Sequence, residues 1–104
     1  MELRNVSYTA LETPATFFAH YFPDAQPEPH YPWTGPDGTS WIEYRFRTID
    51  GLRHSVRVSV RFLSGKSDRR IEDLLRIAGL DRAIRNAAGR VTIYLGPDGS
   101  ILNA

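Results

Sequence analysis

The strongest pattern of hydrophobic and polar positions runs from Trp41 to Leu63. Up to Phe46 every second residue is apolar, and after Asp50-Gly51 the same two-residue period returns. The apolar positions of this stretch are Ile42, Tyr44, Phe46, Val56, Val58, Val60 and Phe62. A period of two is typical of a strand with one buried and one polar face. The sequence therefore predicts two half-buried strands joined by a tight turn.

The turn decides which residues share a face. A two-residue Asp50-Gly51 loop would mix apolar and polar residues on both sides of the sheet, because cross-strand partners share a face. A three-residue loop from Ile49 to Gly51 pairs Phe46 with His54 and keeps the two patterns apart. We therefore predict the three-residue loop, with Gly51 in the left-handed region. The polar face then holds Trp41, Glu43, Arg45, Arg47, Arg53, Arg57 and Arg61.

The segments before the hairpin are less regular. Residues 2 to 10 alternate weakly and predict an edge strand. Thr13-Pro14 is typical of an N-cap followed by proline at the first helical position, so we expect a short helix from Pro14 to Phe22. Residues 23–36 hold five of the seven prolines, and this composition predicts an extended connector with a short strand at residues 31 to 34.

After Leu63 the apolar period changes to that of a helix, which we expect to open at Ser67-Asp68 and to end at Gly79. A second helix to Gly89, a strand at residues 91 to 95 and a last short strand around Ile101 follow. The sequence thus predicts a single α+β domain over residues 1–104. Its antiparallel sheet of about four or five strands is built on the central hairpin, with helices packed on one face.

Charge is distributed unevenly along the chain. Residues 1–44 carry one arginine and six acids, whereas residues 45–104 carry twelve basic residues and six acids, and the whole chain has a net charge of +1. This asymmetry indicates a polyanionic partner, or an acidic first half that folds over the basic second half. The absence of cysteine excludes disulfides and thiolate chemistry. Because no signal peptide or membrane-spanning run is visible, we expect a cytoplasmic protein.

Motifs for catalysis or cofactor binding fail on spacing. Ser64-Gly65-Lys66-Ser67 lies where a phosphate-binding loop would lie, but Val60 occupies the position of its first glycine. A looser anion site that uses Lys66 at the following helix remains open. The three histidines are not spaced as metal pairs, and His54 falls on the apolar face. We therefore expect no metal, no cofactor and no catalytic residue.

The polar face of the hairpin remains as the candidate site. Its arginines and flat rings combine charge with stacking surfaces, as single-stranded nucleic-acid binders do. The predicted binding residues are Trp41, Arg45, Arg47, Arg53, Arg57, Arg61 and Tyr94, and the secondary ones are Tyr31, Trp33 and Lys66.

We therefore expect a small non-enzymatic binding domain that engages a nucleic acid or a nucleoprotein complex. An inhibitor or accessory protein of the immunity or anti-defence type, directed at one protein target, is the alternative, because the same residue types dominate protein hot spots. A small metal-free hydrolase is the third. The alternative without a binding function is that this face is only solvated, or that the proline-rich segment covers it.

Overall fold

The computed structural model describes residues 6–102. Its elements are, in chain order, α1 (Tyr8–Tyr21), β1 (Gln26–Pro27), β2 (Tyr31–Thr34), β3 (Ser40–Arg47), β4 (Arg53–Ser59), α2 (Val60–Leu63), α3 (Asp68–Ala78), α4 (Leu80–Ala87) and β5 (Ile93–Leu95). The five strands form one sheet in which β1 and β2 pair with one edge of β3, β4 pairs with the other edge, and β5 pairs with β4. The predicted α+β class is confirmed, and the sheet is antiparallel as predicted except for β5, which pairs with β4 in parallel.

The central hairpin has the predicted register. Phe46 pairs with His54, and Glu43 pairs with Arg57. Gly51 has φ 85°, and the three-residue loop is closed by a hydrogen bond from the Thr48 amide to the Leu52 carbonyl at 2.9 Å. The alternation of apolar and polar residues in the two strands was therefore sufficient to choose the three-residue loop over the two-residue loop.

The end of the second strand was predicted wrongly. β4 stops at Ser59, whose side chain accepts a hydrogen bond from the Arg61 amide and caps the short helix α2. A single helical turn buries Val60, Phe62 and Leu63 together, which a strand could not do. Arg61 consequently lies on α2 and not in the row of arginines on the sheet.

The first helix was also predicted wrongly at its start. α1 begins at Tyr8, where the Ser7 side chain accepts a hydrogen bond from the Ala10 amide at 3.0 Å, and Pro14 lies inside the helix. There is accordingly no edge strand at residues 8 to 10, and residues 2 to 5 of that prediction lie outside the described part of the chain. Burial of Phe17 and Phe18 offsets the hydrogen bond that an internal proline removes.

The helices cover one face of the sheet and leave the other open. Phe18 of α1 stacks on Phe46 of β3, with ring centroids 5.2 Å apart. Helices α3 and α4 add further apolar residues to the same core, namely Ile71, Leu75, Leu80 and Ile84. β5 runs parallel to β4 because the three helices between them carry the chain back to the other end of the sheet. The expected last strand is reduced to a single bridge between Leu95 and Ile101.

The remaining helix and strand boundaries lie close to those predicted from the sequence. α3 is capped by Ser67 and ends at Gly79, which has φ 71°. The proline-rich segment is extended and contributes β1 and β2, so the short strand at residues 31 to 34 is confirmed. Among the helices of residues 6–102, none has the length and apolar character needed to cross a membrane.

Candidate binding surface

The face of the sheet that points away from the helices carries the candidate site, and we call it the outer face. β2 lies beside β3 with Tyr31 opposite Glu43 and Trp33 opposite Trp41, and β5 lies beside β4 with Tyr94 next to Arg57. The outer face therefore consists of Tyr31, Trp33, Trp41, Glu43, Arg45, Arg47, Arg53, Ser55, Arg57, Ser59 and Tyr94.

A buried carboxylate lies at the centre of the outer face. Glu43 is 0% exposed, and its Oε1 accepts a hydrogen bond from Arg57 Nε at 2.7 Å. Its Oε2 accepts hydrogen bonds from the Tyr31 hydroxyl at 2.9 Å, from the Ser55 hydroxyl at 3.3 Å and from Arg45 Nε. Burial alone would raise the pKa of Glu43, but the hydrogen bonds from Arg57, Tyr31 and Arg45 outweigh burial and hold the pKa below its ordinary value. Glu43 therefore stays ionised and fixes the two arginines beside it.

The aromatic rings close over this carboxylate. The Arg57 guanidinium lies 3.5 Å from the centroid of the Trp33 ring and donates a hydrogen bond to the Tyr94 hydroxyl. Trp41 packs edge-on against Tyr94 at 5.2 Å between centroids and is only 8% exposed. Trp41 was predicted to stack on a ligand, but most of its surface is used in packing within the outer face. The centre of the outer face is thus a packed layer, and the Arg57 guanidinium is occupied by contacts with other side chains of that layer.

Arginines remain accessible at the hairpin end of the outer face. Arg53 binds Glu28 of the proline-rich segment with two hydrogen bonds, Nε to Oε2 at 2.9 Å and a terminal nitrogen to Oε1 at 2.6 Å. Arg47 is exposed and lies directly opposite Arg53, while Arg45 is 34% exposed. We call Arg45, Arg47 and Arg53 the arginine cluster.

The positive charges of all three arginines in the arginine cluster affect the pKa of Glu28. Its pKa lies below the ordinary value because of the hydrogen bond from Arg53, which outweighs partial burial, and because of the positive charges of Arg53, Arg45 and Arg47. With Arg57 included, four guanidiniums meet the two carboxylates Glu28 and Glu43, so two positive charges remain in excess. Arginines placed directly opposite each other repel, so this arrangement favours an added anion.

Two of the predicted binding residues lie away from the outer face. Arg61 is exposed on α2. Lys66 donates a hydrogen bond from Nζ to the Phe62 carbonyl at 2.7 Å and so lies at the end of α2. Glu28 was missed, because no sequence pattern indicates where a proline-rich connector crosses the sheet. Tyr31 was only a secondary candidate, yet it is 36% exposed and lies beside Arg45.

Two of the histidines, His54 and His30, contact neighbouring side chains. His54 is buried, its Nε2 lies 3.2 Å from the Thr48 hydroxyl, and its ring stacks on Phe46 at 5.1 Å. Burial lowers the pKa of His54, against a smaller opposite effect of Asp50. His30 lies 3.5 Å from a carboxylate oxygen of Glu12. Within the described range 6–102, no three histidine, aspartate or glutamate side chains come together in a way that could hold a metal ion.

The chain matches no family model, and no curated protein or solved structure is significantly similar to it. Its function therefore has to be inferred from its own surface. That surface combines a rigid aromatic centre, organised by Glu43, with an arginine cluster that carries excess positive charge at the hairpin end.

Proposed function

We propose that the protein is a small, non-enzymatic binding domain whose arginine cluster binds the backbone of a single-stranded nucleic acid, free or within a nucleoprotein complex. The observation that supports this most is the grouping of three accessible arginines at one end of the outer face, where Arg53 pairs with Glu28 and lies directly opposite Arg47. Guanidinium groups bind phosphate oxygens in a two-pronged geometry, and a row of them on adjacent strands suits a backbone of regularly spaced phosphates.

The preorganisation of the cluster supports the same proposal. Arg45 Nε is held by Glu43, and its guanidinium lies 5.5 Å from the centroid of the Tyr31 ring. A side chain that is already fixed loses less conformational entropy on binding than a free one. Tyr31 adds an accessible ring next to the charges, which is the combination that sheet surfaces use to bind unpaired bases.

A protein partner is the second candidate, and a different observation favours it. Trp33, Trp41, Arg57 and Tyr94 form a preformed aromatic and arginine layer. Residues of these types dominate the energetic centres of protein–protein interfaces. On this proposal the domain is an inhibitor or accessory protein, and its affinity depends on Trp33 and changes little with salt.

Fluorescence anisotropy with labelled single-stranded DNA and RNA, measured over a series of salt concentrations, tests the first proposal. The variant Arg47→Gln removes one charge from the cluster and should reduce the salt slope by about 0.7, the value for one phosphate contact on a single strand. Arg82→Gln is the matched control, because Arg82 is exposed on α4. If no oligonucleotide binds at low salt, or if Arg82→Gln weakens binding as much as Arg47→Gln, the proposal is wrong.

A further inference from the structure

A groove lies beside the arginine cluster, between α1 and the strands β1 and β3. Its volume is about 550 Å³. The buried rings of Phe18, Tyr44 and Phe46 line its floor, and Ala15 and Ala19 of α1 leave room above them. Concave, mostly apolar sites of roughly 300–1,000 Å³ are typical of ligand pockets. The groove is therefore large enough to hold a planar ring system.

The polar groups of the groove are placed at its rim. Arg45 belongs both to the groove and to the arginine cluster, and Glu28, which pairs with Arg53, also lines the groove, so the two sites are continuous. Glu12 and His30 also line the groove, 3.5 Å apart, and the His30 ring packs against Tyr44 at 5.3 Å between centroids. An occupant of this groove thus meets an apolar wall, the partly exposed His30 ring, hydrogen-bonding groups and a positively charged neighbouring surface.

We infer that the groove holds one unstacked base of the bound strand, while the phosphate next to that base lies on the arginine cluster; this inference rests on the proposed function. A nucleotide has the two properties that the site complements, a planar ring system with a polar edge and an adjoining anion. Proteins that recognise single strands hold splayed bases against aromatic side chains and bind their edges by hydrogen bonds. In this site the base lies between the alanine wall of α1 and the partly exposed His30 ring, and Glu12 faces its edge.

The test compares intact single strands of about ten nucleotides with strands that lack one internal base, placed at each position in turn. Removal of the base leaves the phosphates in place, so it separates the contribution of the groove to affinity from that of the arginine cluster. We expect a loss of about 5- to 150-fold in affinity when the missing base is the one that the groove holds, the range expected for one stacked base. A free nucleoside monophosphate should bind far more weakly than the strand.

The variant Ala19→Leu supplies the second arm. Ala19 is exposed on α1 and lines the groove, so a leucine side chain there occupies part of the groove. Leucine is a good helix former, so the substitution should not destabilise α1. We expect Ala19→Leu to weaken the intact strand and to abolish the difference between intact and base-free strands. Asn86→Leu, at an exposed position of α4, is the control and should change neither.

Three outcomes would contradict the groove inference, and they differ in what they mean for the proposed function. Intact strands that bind with Arg47-dependent affinity, and base-free strands that bind equally well at every position, would overturn the groove inference and leave the proposed function standing. A nucleoside monophosphate that binds as tightly as the strand would also overturn the inference, since the occupant would then be a free nucleotide. Failure of every oligonucleotide to bind would overturn both proposals.

Discussion

Replacement of Glu43 with glutamine tests whether the buried carboxylate holds the outer face together. The substitution keeps the shape of the side chain and removes its charge. It also places an amide nitrogen where one carboxylate oxygen accepts hydrogen bonds, either from Arg57 or from Tyr31, Arg45 and Ser55. Two guanidiniums then lose the anion between them, so we expect a large loss of stability.

The magnitude follows from burial. Removal of one partner of a buried ion pair costs about 3–5 kcal/mol. Arg45 is 34% exposed and can be rehydrated, whereas Arg57 is 17% exposed and stays largely enclosed. We therefore expect a loss of about 2–4 kcal/mol, below the fully buried case. For a domain of about 100 residues each kcal/mol lowers Tm by about 4–8 °C, so Tm should fall by roughly 8–32 °C.

Thermal unfolding followed by circular dichroism near neutral pH measures this change. Glu28→Gln is the control, because it removes a carboxylate from the solvent-accessible pair with Arg53 and should leave Tm almost unchanged. Because the pKa of Glu43 is lowered in the folded state, its contribution is complete above pH 4.5, the ordinary value, and is lost as pH falls through the folded pKa. Glu43→Gln should therefore reduce the acid sensitivity of Tm. A variant that melts within about 2 °C of the wild type would refute the argument.

Two further predictions concern the hairpin end of the sheet. Gly51 has φ 85°, so Gly51→Val should cost about 1–2 kcal/mol and Gly51→Asn clearly less; equal Tm values for the two variants would contradict the turn geometry. The pKa of His54 is lowered, chiefly by burial, so the stability that its neutral form contributes is complete above pH 6.5 and declines as pH falls through the folded pKa. His54→Phe should therefore remove part of the loss in Tm between about pH 7 and pH 5.5, and an unchanged pH profile would contradict this.

The parts of the fold that were predicted correctly depend on local patterns with one solution. The parity of two alternating strands allows only one register for the hairpin, and Ser67 and Gly79 are strong end signals for α3. The errors arose where one pattern fits two structures. Apolar residues at positions 60 and 62 suit a strand and equally a buried helical turn, and tertiary packing decides between them. Pro14 suits the first turn of a helix but is tolerated inside α1.

The candidate site was predicted only in part, for a similar reason. The cross-strand pair of Glu43 and Arg57 follows from the register, so the sequence was sufficient for it. The complete burial of Glu43 arises because β2 lies along β3 and brings Tyr31 and Trp33 over the outer face. The sequence left open that the proline-rich segment covers this face, but such segments carry no periodic pattern, so neither the side chains that cover Glu43 nor the pairing of Glu28 with Arg53 could be predicted.

These contacts divide the arginines into two groups that experiments can separate. Arg57 is bound to Glu43, Trp33 and Tyr94, so its replacement should act through the stability of the sheet. Arg47 is exposed, so its replacement should change affinity and leave Tm unchanged. Arg45 belongs to both groups, because Glu43 fixes a guanidinium that still faces solvent. If the proposed function is correct, Glu43→Gln should therefore weaken nucleic-acid binding at temperatures well below its Tm, although Glu43 itself touches no ligand. Unchanged binding in a folded Glu43→Gln variant would mean that the positioning of Arg45 does not contribute to recognition.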